Sequence, residues 1–155
     1  GFLTSGGLGT MGYGLPAALG AKLGRRDSEV VLIIGDGGLQ MNLAELATLV
    51  QEGAGVKIMI LNNGYLGMVR EIQEEIHDAR YYQTRMEGNP DFIKLAQAYG
   101  IKGFRVESQE KIEWGIRKLL NWEGPIIGEF VIDPAANVIP ILGGKDDEAH
   151  IRGIG

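Results

Sequence analysis

The sequence predicts an α/β fold, a doubly wound parallel sheet with helices on both faces. Two short apolar runs, residues 30–34 and 56–61, are rich in β-branched side chains and have the length of buried strands. Residues 39–53, which lie between them, carry apolar side chains at helical spacing. A strand, a helix and a strand in this order form a right-handed crossover, so both strands run parallel and end at the same edge.

The other elements follow from turn and capping residues. Pro16 suits the first turn of a helix, and Asn89 with Pro90 predicts the start of another, which Gly100 ends. In chain order we predict a glycine-rich loop (5–14), a helix (15–23), a loop (64–68), a charged helix (69–79), a surface segment without clear periodicity (81–88), a helix (89–99), a strand (101–106), a helix capped by Ser108 and a buried strand (125–132). The tail from residue 133 shows no clear element.

Composition limits the classes of function. A chain of 155 residues with 45% hydrophobic content suits one domain over residues 1–155. The net charge of −5 and the lack of a long basic run argue against a nucleic-acid partner. No apolar stretch approaches the roughly 20 residues that span a bilayer, and the first residues do not resemble a signal peptide, so we expect no membrane partner and a cytoplasmic location. The absence of cysteine excludes disulfides, thiolate zinc sites and a cysteine nucleophile.

Two polar sequences follow the first two predicted strands and indicate a metal-diphosphate site. Gly35-Asp36-Gly37-Gly38 ends the first strand and Asn62-Asn63 ends the second. One carboxylate and one amide oxygen suit Mg²⁺, which usually retains phosphate oxygens and water as its other ligands. The glycines allow a diphosphate to approach the backbone, and we expect a helix that opens near Leu39 to direct its N–H groups toward that anion.

Other interpretations of these motifs compete. Residues 7–12 match the G-x-G-x-x-G pattern of nicotinamide-binding domains, and Asp36 follows the next strand, where a ribose-binding acid belongs. That pattern requires a preceding strand, but only Phe2 and Leu3 are apolar there, and it does not explain Asn62-Asn63. A flexible loop without a ligand and a noncatalytic assembly module are further alternatives. His77 and His150 lack the spacing of metal ligands and suit structural or surface roles.

The spacing of Gly35-Asp36-Gly37 and Asn62-Asn63 resembles the signature of thiamine-diphosphate enzymes and their binding fold. Longer stretches, residues 4–18, 41–48 and 62–69, resemble the carboxyl-terminal, diphosphate-binding domain of the large subunit of acetolactate (acetohydroxyacid) synthase. The resemblance continues through residues 89–96 and Val138-Ile139-Pro140, so it covers nearly the whole chain.

The resemblance implies specific roles for residues in this sequence. It implies that Asp36, Asn63 and the carbonyl of Tyr65 ligate Mg²⁺. It implies that the backbone carbonyl of Met11 accepts a bond from the cofactor's pyrimidine amino group and that Met68 lines the substrate pocket. The full set of implied cofactor-binding residues is Gly9, Met11, Asp36, Gly37, Gly38, Asn63, Tyr65, Leu66, Gly67 and Met68.

The resemblance also implies an activity. That activity is the condensation of pyruvate with a second 2-oxo acid, with loss of CO₂, in branched-chain amino-acid biosynthesis. The alternative is the diphosphate-binding domain or subunit of another thiamine-diphosphate-dependent decarboxylase or carboligase. The synthases usually carry tryptophan four residues after the methionine that matches Met68, whereas this chain has Ile72, so the preferred second substrate stays open.

The same resemblance implies partners. The glutamate that activates the cofactor lies on a separate pyrimidine-binding domain in this family, so no catalytic residue is assigned here, and we expect the isolated domain to be inactive. We expect the pyrimidine-binding and middle domains to be absent from this chain. The expected partners are a pyrimidine-binding domain or subunit, further copies in a dimer or larger homo-oligomer, and a regulatory small subunit. FAD is expected only in the full-length enzyme.

Overall fold

The computed structural model describes residues 1–137, and its centre is a sheet of four parallel strands. The strands are β1 (Val30–Gly35), β2 (Val56–Asn62), β3 (Lys102–Val106) and β4 (Ile126–Val131). They lie in the order β1-β2-β4-β3, and each neighbouring pair is parallel. The predicted α/β class and parallel sheet are therefore confirmed.

Helices cover both faces of the sheet. They are α1 (Gly14–Gly24), α2 (Asp36–Gln40), α3 (Glu45–Gln51), α4 (Gly67–Ile76), α5 (Phe92–Ala98) and α6 (Ile112–Leu120), the last preceded by a 3-10 turn at Gln109–Lys111. The larger core cluster joins α1, α3 and α5 to one face, where Leu15, Leu46 and Phe92 are fully buried. On the other face, Leu119 of α6 belongs to a second cluster with residues of β3 and β4.

The position of α6 follows from topology. Strand β4 lies between β2 and β3, so the connection from β3 to β4 runs back across the sheet. A right-handed crossover in that direction places its helix on the opposite face from the earlier helices. Because α6 packs on β3 and β4, Val31 and Ile33 of β1 remain exposed on this second face.

The predicted helix over residues 39–53 is wrong in its start and its continuity. Helix α2 begins at Asp36, directly after the Gly35 N-cap, rather than near Leu39. It ends at Gln40, and α3 begins only at Glu45. Between them the backbone N–H groups of Glu45 and Leu46 bond to carbonyls three residues earlier, at 3.1 and 3.0 Å, which tightens this stretch into turns.

The predicted cap of the fifth helix is also wrong. Asp91, not Asn89, is the N-cap of α5, and its Oδ1 accepts from the N–H groups of Ile93 and Lys94 at 3.0 and 3.1 Å. The side chain of Asn89 instead contacts both ends of α2, at Asp36 and Gln40. Ser108 precedes the 3-10 turn but makes no side-chain cap bond.

The charged helix α4 ends at Ile76, three residues before the predicted end, and Asp78 and Ala79 adopt positive φ. No helix among residues 1–137 is long and apolar enough to cross a membrane. Val138-Ile139-Pro140 and His150 lie outside the described residues.

The surroundings of Gly115 in α6 and of Gly20 in α1 predict opposite effects when each glycine is replaced by alanine. A Cβ at Gly115 would lie 2.7 Å from Cγ2 of Val106 and 3.0 Å from Cε1 of Phe130. We expect Gly115→Ala to lower the free energy of unfolding by about 1–3 kcal/mol, because overpacking a core outweighs the gain in helix propensity. The matched control is Gly20→Ala in α1, where a Cβ meets nothing within 4 Å, and it should raise stability by about 0.5–1 kcal/mol. Urea denaturation measures both, and equal effects would contradict this packing.

Candidate functional site

The ends of β1 and β2 meet at one edge of the sheet. Gly35 pairs with Leu61 in parallel register, so Asp36 directly follows β1 beside Asn62, the last residue of β2. The side chain of Asp36 is buried, with 1% exposure. The structure thus brings the two predicted motifs to the same edge.

One amide side chain orients the carboxylate of Asp36. Asn89 Nδ2 donates to Asp36 Oδ2 at 2.6 Å, and Asn89 Oδ1 accepts from Gln40 Nε2 at 2.5 Å. Among residues 1–137 this is the one hydrogen bond made to the Asp36 carboxylate. Its second oxygen, Oδ1, is therefore available to a cation.

Two side-chain-to-backbone bonds shape residues 62–65, which we call the 62–65 turn. Asn62 Oδ1 accepts from the N–H of Gly64, and Asn63 Oδ1 accepts from the N–H of Tyr65, each at 3.0 Å. Gly64 has a φ of +69°, which favours glycine. Within the described chain the Tyr65 carbonyl receives no hydrogen bond, so it can act as a ligand.

Gly67 leaves room for the amide of Asn63. A Cβ at Gly67 would lie 2.9 Å from Asn63 Nδ2, closer than real Cβ contacts come. Any larger residue at the start of α4 would therefore displace Asn63.

Residues 84–86 form a wall beside the 62–65 turn. The N–H of Leu66 donates to the carbonyl of Thr84, and the N–H of Met86 donates to the carbonyl of Gly64, both at 2.8 Å. Thr84 is buried. Sequence reasoning missed this wall, because a single bridge between Tyr65 and Arg85 is too short to produce a periodic pattern.

An apolar cradle surrounds Gly37. A Cβ there would lie 3.0 Å from Leu66 Cδ2, 3.3 Å from Met11 Cε and 3.7 Å from Met86 Cε. Three segments distant in sequence thus converge on one glycine. The sequence predicted Met11, Gly37 and Leu66 as site residues but gave no signal for Met86.

A hydrogen bond joins the glycine-rich loop to the turn between α2 and α3. Asn42 Nδ2 donates to the carbonyl of Gly12 at 2.8 Å. Gly12 has a φ of +88°, and a Cβ there would lie 2.7 Å from Asn42 Nδ2. Glycine is needed at this position for both reasons, and the contact holds the neighbouring Met11 near Gly37.

Three of the predicted cofactor residues lie outside these contacts. Gly9 is exposed directly after a turn, with no atom near its Cβ position. Gly38 packs against β1, since a Cβ would lie 3.1 Å from Ile34 Cγ1. Met68 is exposed in the first turn of α4, one turn before Ile72.

The available donors fit Mg²⁺ better than a metal that needs a protein-built cage. Residues 1–137 contain no group of three or more His, Cys, Asp or Glu able to hold a metal. The edge instead offers one carboxylate oxygen, one amide oxygen and one carbonyl, from Asp36, Asn63 and Tyr65. Mg²⁺ accepts such a sparse set because phosphate and water complete its octahedron. The cradle at Gly37 leaves space beside them that a side chain would fill.

A row of hydrogen-bonded polar side chains crosses the same end of the sheet around the buried Glu129, and we call it the polar row. Asn62 Nδ2 donates to Glu129 Oε1, and Arg105 Nε donates to Glu129 Oε2, each at 2.7 Å. Arg105 Nη2 also lies 3.4 Å from Asp91 Oδ1. The hydrogen bond to Glu129 raises the pKa of Arg105, and the N–H of Lys94, donating to Asp91, lowers the pKa of that carboxyl.

Glu129 is not among the site residues predicted from the sequence. A charged residue within the apolar run of β4 was the available signal, since a strand buried on both faces seldom carries one.

Comparison with known proteins agrees with this geometry. Residues 1–130 match the family model described as "Thiamine pyrophosphate enzyme, C-terminal TPP binding domain". Similar proteins include the mitochondrial acetolactate synthase catalytic subunit of Saccharomyces cerevisiae, 47% identical over 143 residues, and the acetolactate synthase isozyme 2 large subunit of Escherichia coli, 43% identical over 141 residues. These alignments cover 92% and 91% of this chain but only 21% and 26% of the relatives.

A solved structure is similar as well. It is the Rhodococcus jostii RHA1 thiamine diphosphate-dependent 4-hydroxybenzoylformate decarboxylase, with a TM-score of 0.72 and 32% sequence identity. The match covers 79% of this chain and 23% of that one.

Proposed function

The chain belongs to the C-terminal TPP-binding domains of thiamine pyrophosphate enzymes, and on this basis we propose that its β1–β2 edge binds thiamine diphosphate through Mg²⁺. The observation that carries the proposal is the meeting of the Asp36 carboxylate, the 62–65 turn and the Gly37 cradle at one edge.

The proposed metal ligands are Asp36 Oδ1, Asn63 Oδ1 and the carbonyl of Tyr65. The single bond that orients Asp36 leaves Oδ1 accessible, and Asn63 Oδ1 keeps a lone pair beyond its bond to the Tyr65 N–H. These are hard oxygen donors, which suit Mg²⁺.

The proposed diphosphate contacts are backbone groups around Gly37, Gly38, Leu66 and Gly67. In this proposal Met11 packs beside the cofactor, Gly9 belongs to the same loop, and Met68 faces substrate. The close contacts at Gly37 and Gly67 support the proposed diphosphate contacts, because a side chain at either position would fill the space beside the metal ligands. When bound, thiamine diphosphate supplies an electron sink for decarboxylation of a 2-oxo acid. The residues of this chain hold and orient it.

For the whole protein we propose acetolactate synthase activity, the condensation of pyruvate with a second 2-oxo acid in branched-chain amino-acid biosynthesis. The similarity to the yeast and bacterial synthases supports this choice. A related decarboxylase or carboligase is the second candidate, supported by the likeness to the 4-hydroxybenzoylformate decarboxylase. Ile72 leaves the second substrate open in either case.

Further domains and subunits are part of the proposal. The chain spans about a quarter of the length of the relatives it matches. We propose that a pyrimidine-binding domain supplies the activating glutamate, that the protein forms a dimer or larger homo-oligomer, and that a middle domain, FAD and a regulatory small subunit belong to the full enzyme. A cytoplasmic location stays a prediction.

Cofactor binding is tested by calorimetry on the complete natural polypeptide, of which these 155 residues are all or part. We expect thiamine diphosphate to bind with Mg²⁺ and to lose binding when EDTA removes the metal. Asp36→Asn should abolish the metal-dependent part, because it removes the ligand charge while keeping an acceptor for Asn89. Asp27→Asn, in an exposed turn, should have no effect. Metal-independent binding, or full binding by Asp36→Asn, would contradict the proposal.

Gly67→Ala should weaken the same binding without unfolding the protein. The new Cβ would push against Asn63 Nδ2, 2.9 Å away, and move a proposed ligand. Gly88→Ala is the matched control, because a Cβ there meets nothing within 4 Å. Titration of Mg²⁺ at saturating thiamine diphosphate gives the two affinities. If both variants matched the wild type, Asn63 would not be a ligand.

The activity is tested by supplying pyruvate, Mg²⁺ and thiamine diphosphate to the complete polypeptide and identifying products by mass spectrometry. We expect acetolactate together with CO₂. Release of CO₂ with an aldehyde product would favour the decarboxylase instead. Nicotinamide binding, detected as a change in NADH fluorescence without metal, would contradict both.

A further inference from the structure

A buried carboxylate lies in the middle of the sheet beside the proposed metal site. Glu129 in β4 has 2% exposure, and apolar residues surround it in sequence. Replacing a buried ion pair by apolar residues is often neutral or stabilising, so a charge at this position is not explained by stability. The contacts of Glu129 indicate another role.

Glu129 determines which way the amide of Asn62 points. A carboxylate can only accept hydrogen bonds, so the group 2.7 Å from Glu129 Oε1 is the donor Nδ2 of Asn62. Asn62 Oδ1 must then face the opposite way. Arg105 holds the other oxygen of Glu129 at 2.7 Å, which fixes the carboxylate itself.

From Asn62 Oδ1 two paths lead to the proposed ligands. In the first, Oδ1 accepts from the Gly64 N–H at 3.0 Å and so shapes the 62–65 turn. In the second, Oδ1 lies 3.5 Å from Asn89 Nδ2, the same nitrogen that donates to Asp36 Oδ2 at 2.6 Å. The amide of Asn62 therefore contacts both the 62–65 turn, which carries two proposed ligands, and Asn89, which orients the third, Asp36.

We propose that Glu129 is a positioning residue for the metal site, which acts by orienting the amide of Asn62 and, through it, the 62–65 turn and Asn89. This inference rests on the proposed function, because it takes Asp36, Asn63 and Tyr65 as ligands. Glu129 itself contacts neither metal nor cofactor.

The first test is Glu129→Gln, which keeps shape but replaces one acceptor by a donor. In either orientation of the new amide, a donor faces Asn62 Nδ2 or Arg105 Nε. We expect the Kd for Mn²⁺, measured by electron paramagnetic resonance at saturating thiamine diphosphate, to rise roughly tenfold or more, as for other groups that orient metal ligands. Glu113→Gln is the control, since Glu113 is exposed and its Oε1 pairs with Arg117 at a similar 2.7 Å. The complete polypeptide is used throughout.

The second test restores the pairing in reverse. In the double variant Glu129→Gln with Asn62→Asp, the amide at 129 donates to the carboxylate at 62 and accepts from Arg105. The second oxygen at 62 again accepts from Gly64. We expect the double variant to recover most of the lost Mn²⁺ affinity, whereas Asn62→Asp alone, with two facing carboxylates, should lose at least as much as Glu129→Gln. A role for Glu129 in stability alone would change the free energy of unfolding of these variants and leave the Mn²⁺ affinity of the folded protein unchanged.

A third measurement needs no metal. Amide hydrogen exchange of the Gly64 N–H in metal-free protein should be faster in Glu129→Gln and slower again in the double variant.

Wild-type affinity or unchanged Gly64 exchange in Glu129→Gln, or no recovery in the double variant, would overturn the role of Glu129. If, in that case, Asp36→Asn still loses metal-dependent binding of thiamine diphosphate, the proposed function stands and only the role of Glu129 is overturned. Absence of metal-dependent binding in the wild type would instead overturn the proposed function and this inference together.

Discussion

The parallel pairing of β1 with β2 is the constraint on which the candidate site depends. Gly35 lies opposite Leu61, so Asp36 and the 62–65 turn leave the sheet side by side. A shift of one residue in this register would exchange the faces of every side chain in β1 and separate the two motifs. The apolar packing of β1 and β2 against α1 and α3 holds this register. The relative positions of the site residues therefore depend on the packing of the core.

Close approach between segments decides where glycine is needed. A Cβ at Gly12 or Gly37 would press on side chains from distant parts of the chain, and a Cβ at Gly67 would press on Asn63, four residues before it. These contacts bring the N-terminal loop, the end of β1 and the start of α4 together at the Gly37 cradle. Gly20, by comparison, has open surroundings, so the abundance of glycine in this chain does not have a single cause.

The polar row adds a second kind of organisation at the same end of the sheet. Asn62, Glu129 and Arg105 come from three adjacent strands, and their hydrogen bonds run across the sheet rather than along it. No buried side-chain nitrogen or oxygen among residues 1–137 lacks a partner. Breaking either bond to the buried Glu129 would remove the partner of a buried carboxylate oxygen, so the two bonds hold Glu129 in one orientation.

The sequence by itself determined the α/β class, the order of strands and helices, and the pairing of Asp36 with Asn62-Asn63 at one edge. These depend on local periodicity and on the handedness of crossovers, both of which can be read from a single chain. The sequence did not determine that α2 begins at Asp36, that Asp91 caps α5, or that Asn89 bonds to Asp36. It gave no signal for Met86 or residues 84–86, and the polar row around Glu129 was missed. Only the tertiary structure decided these features. The start of α2 and the Asp91 cap are local choices between neighbouring residues. The bond of Asn89 to Asp36, the contacts of residues 84–86 and the polar row join segments far apart in sequence, and such contacts leave no periodic pattern in either partner.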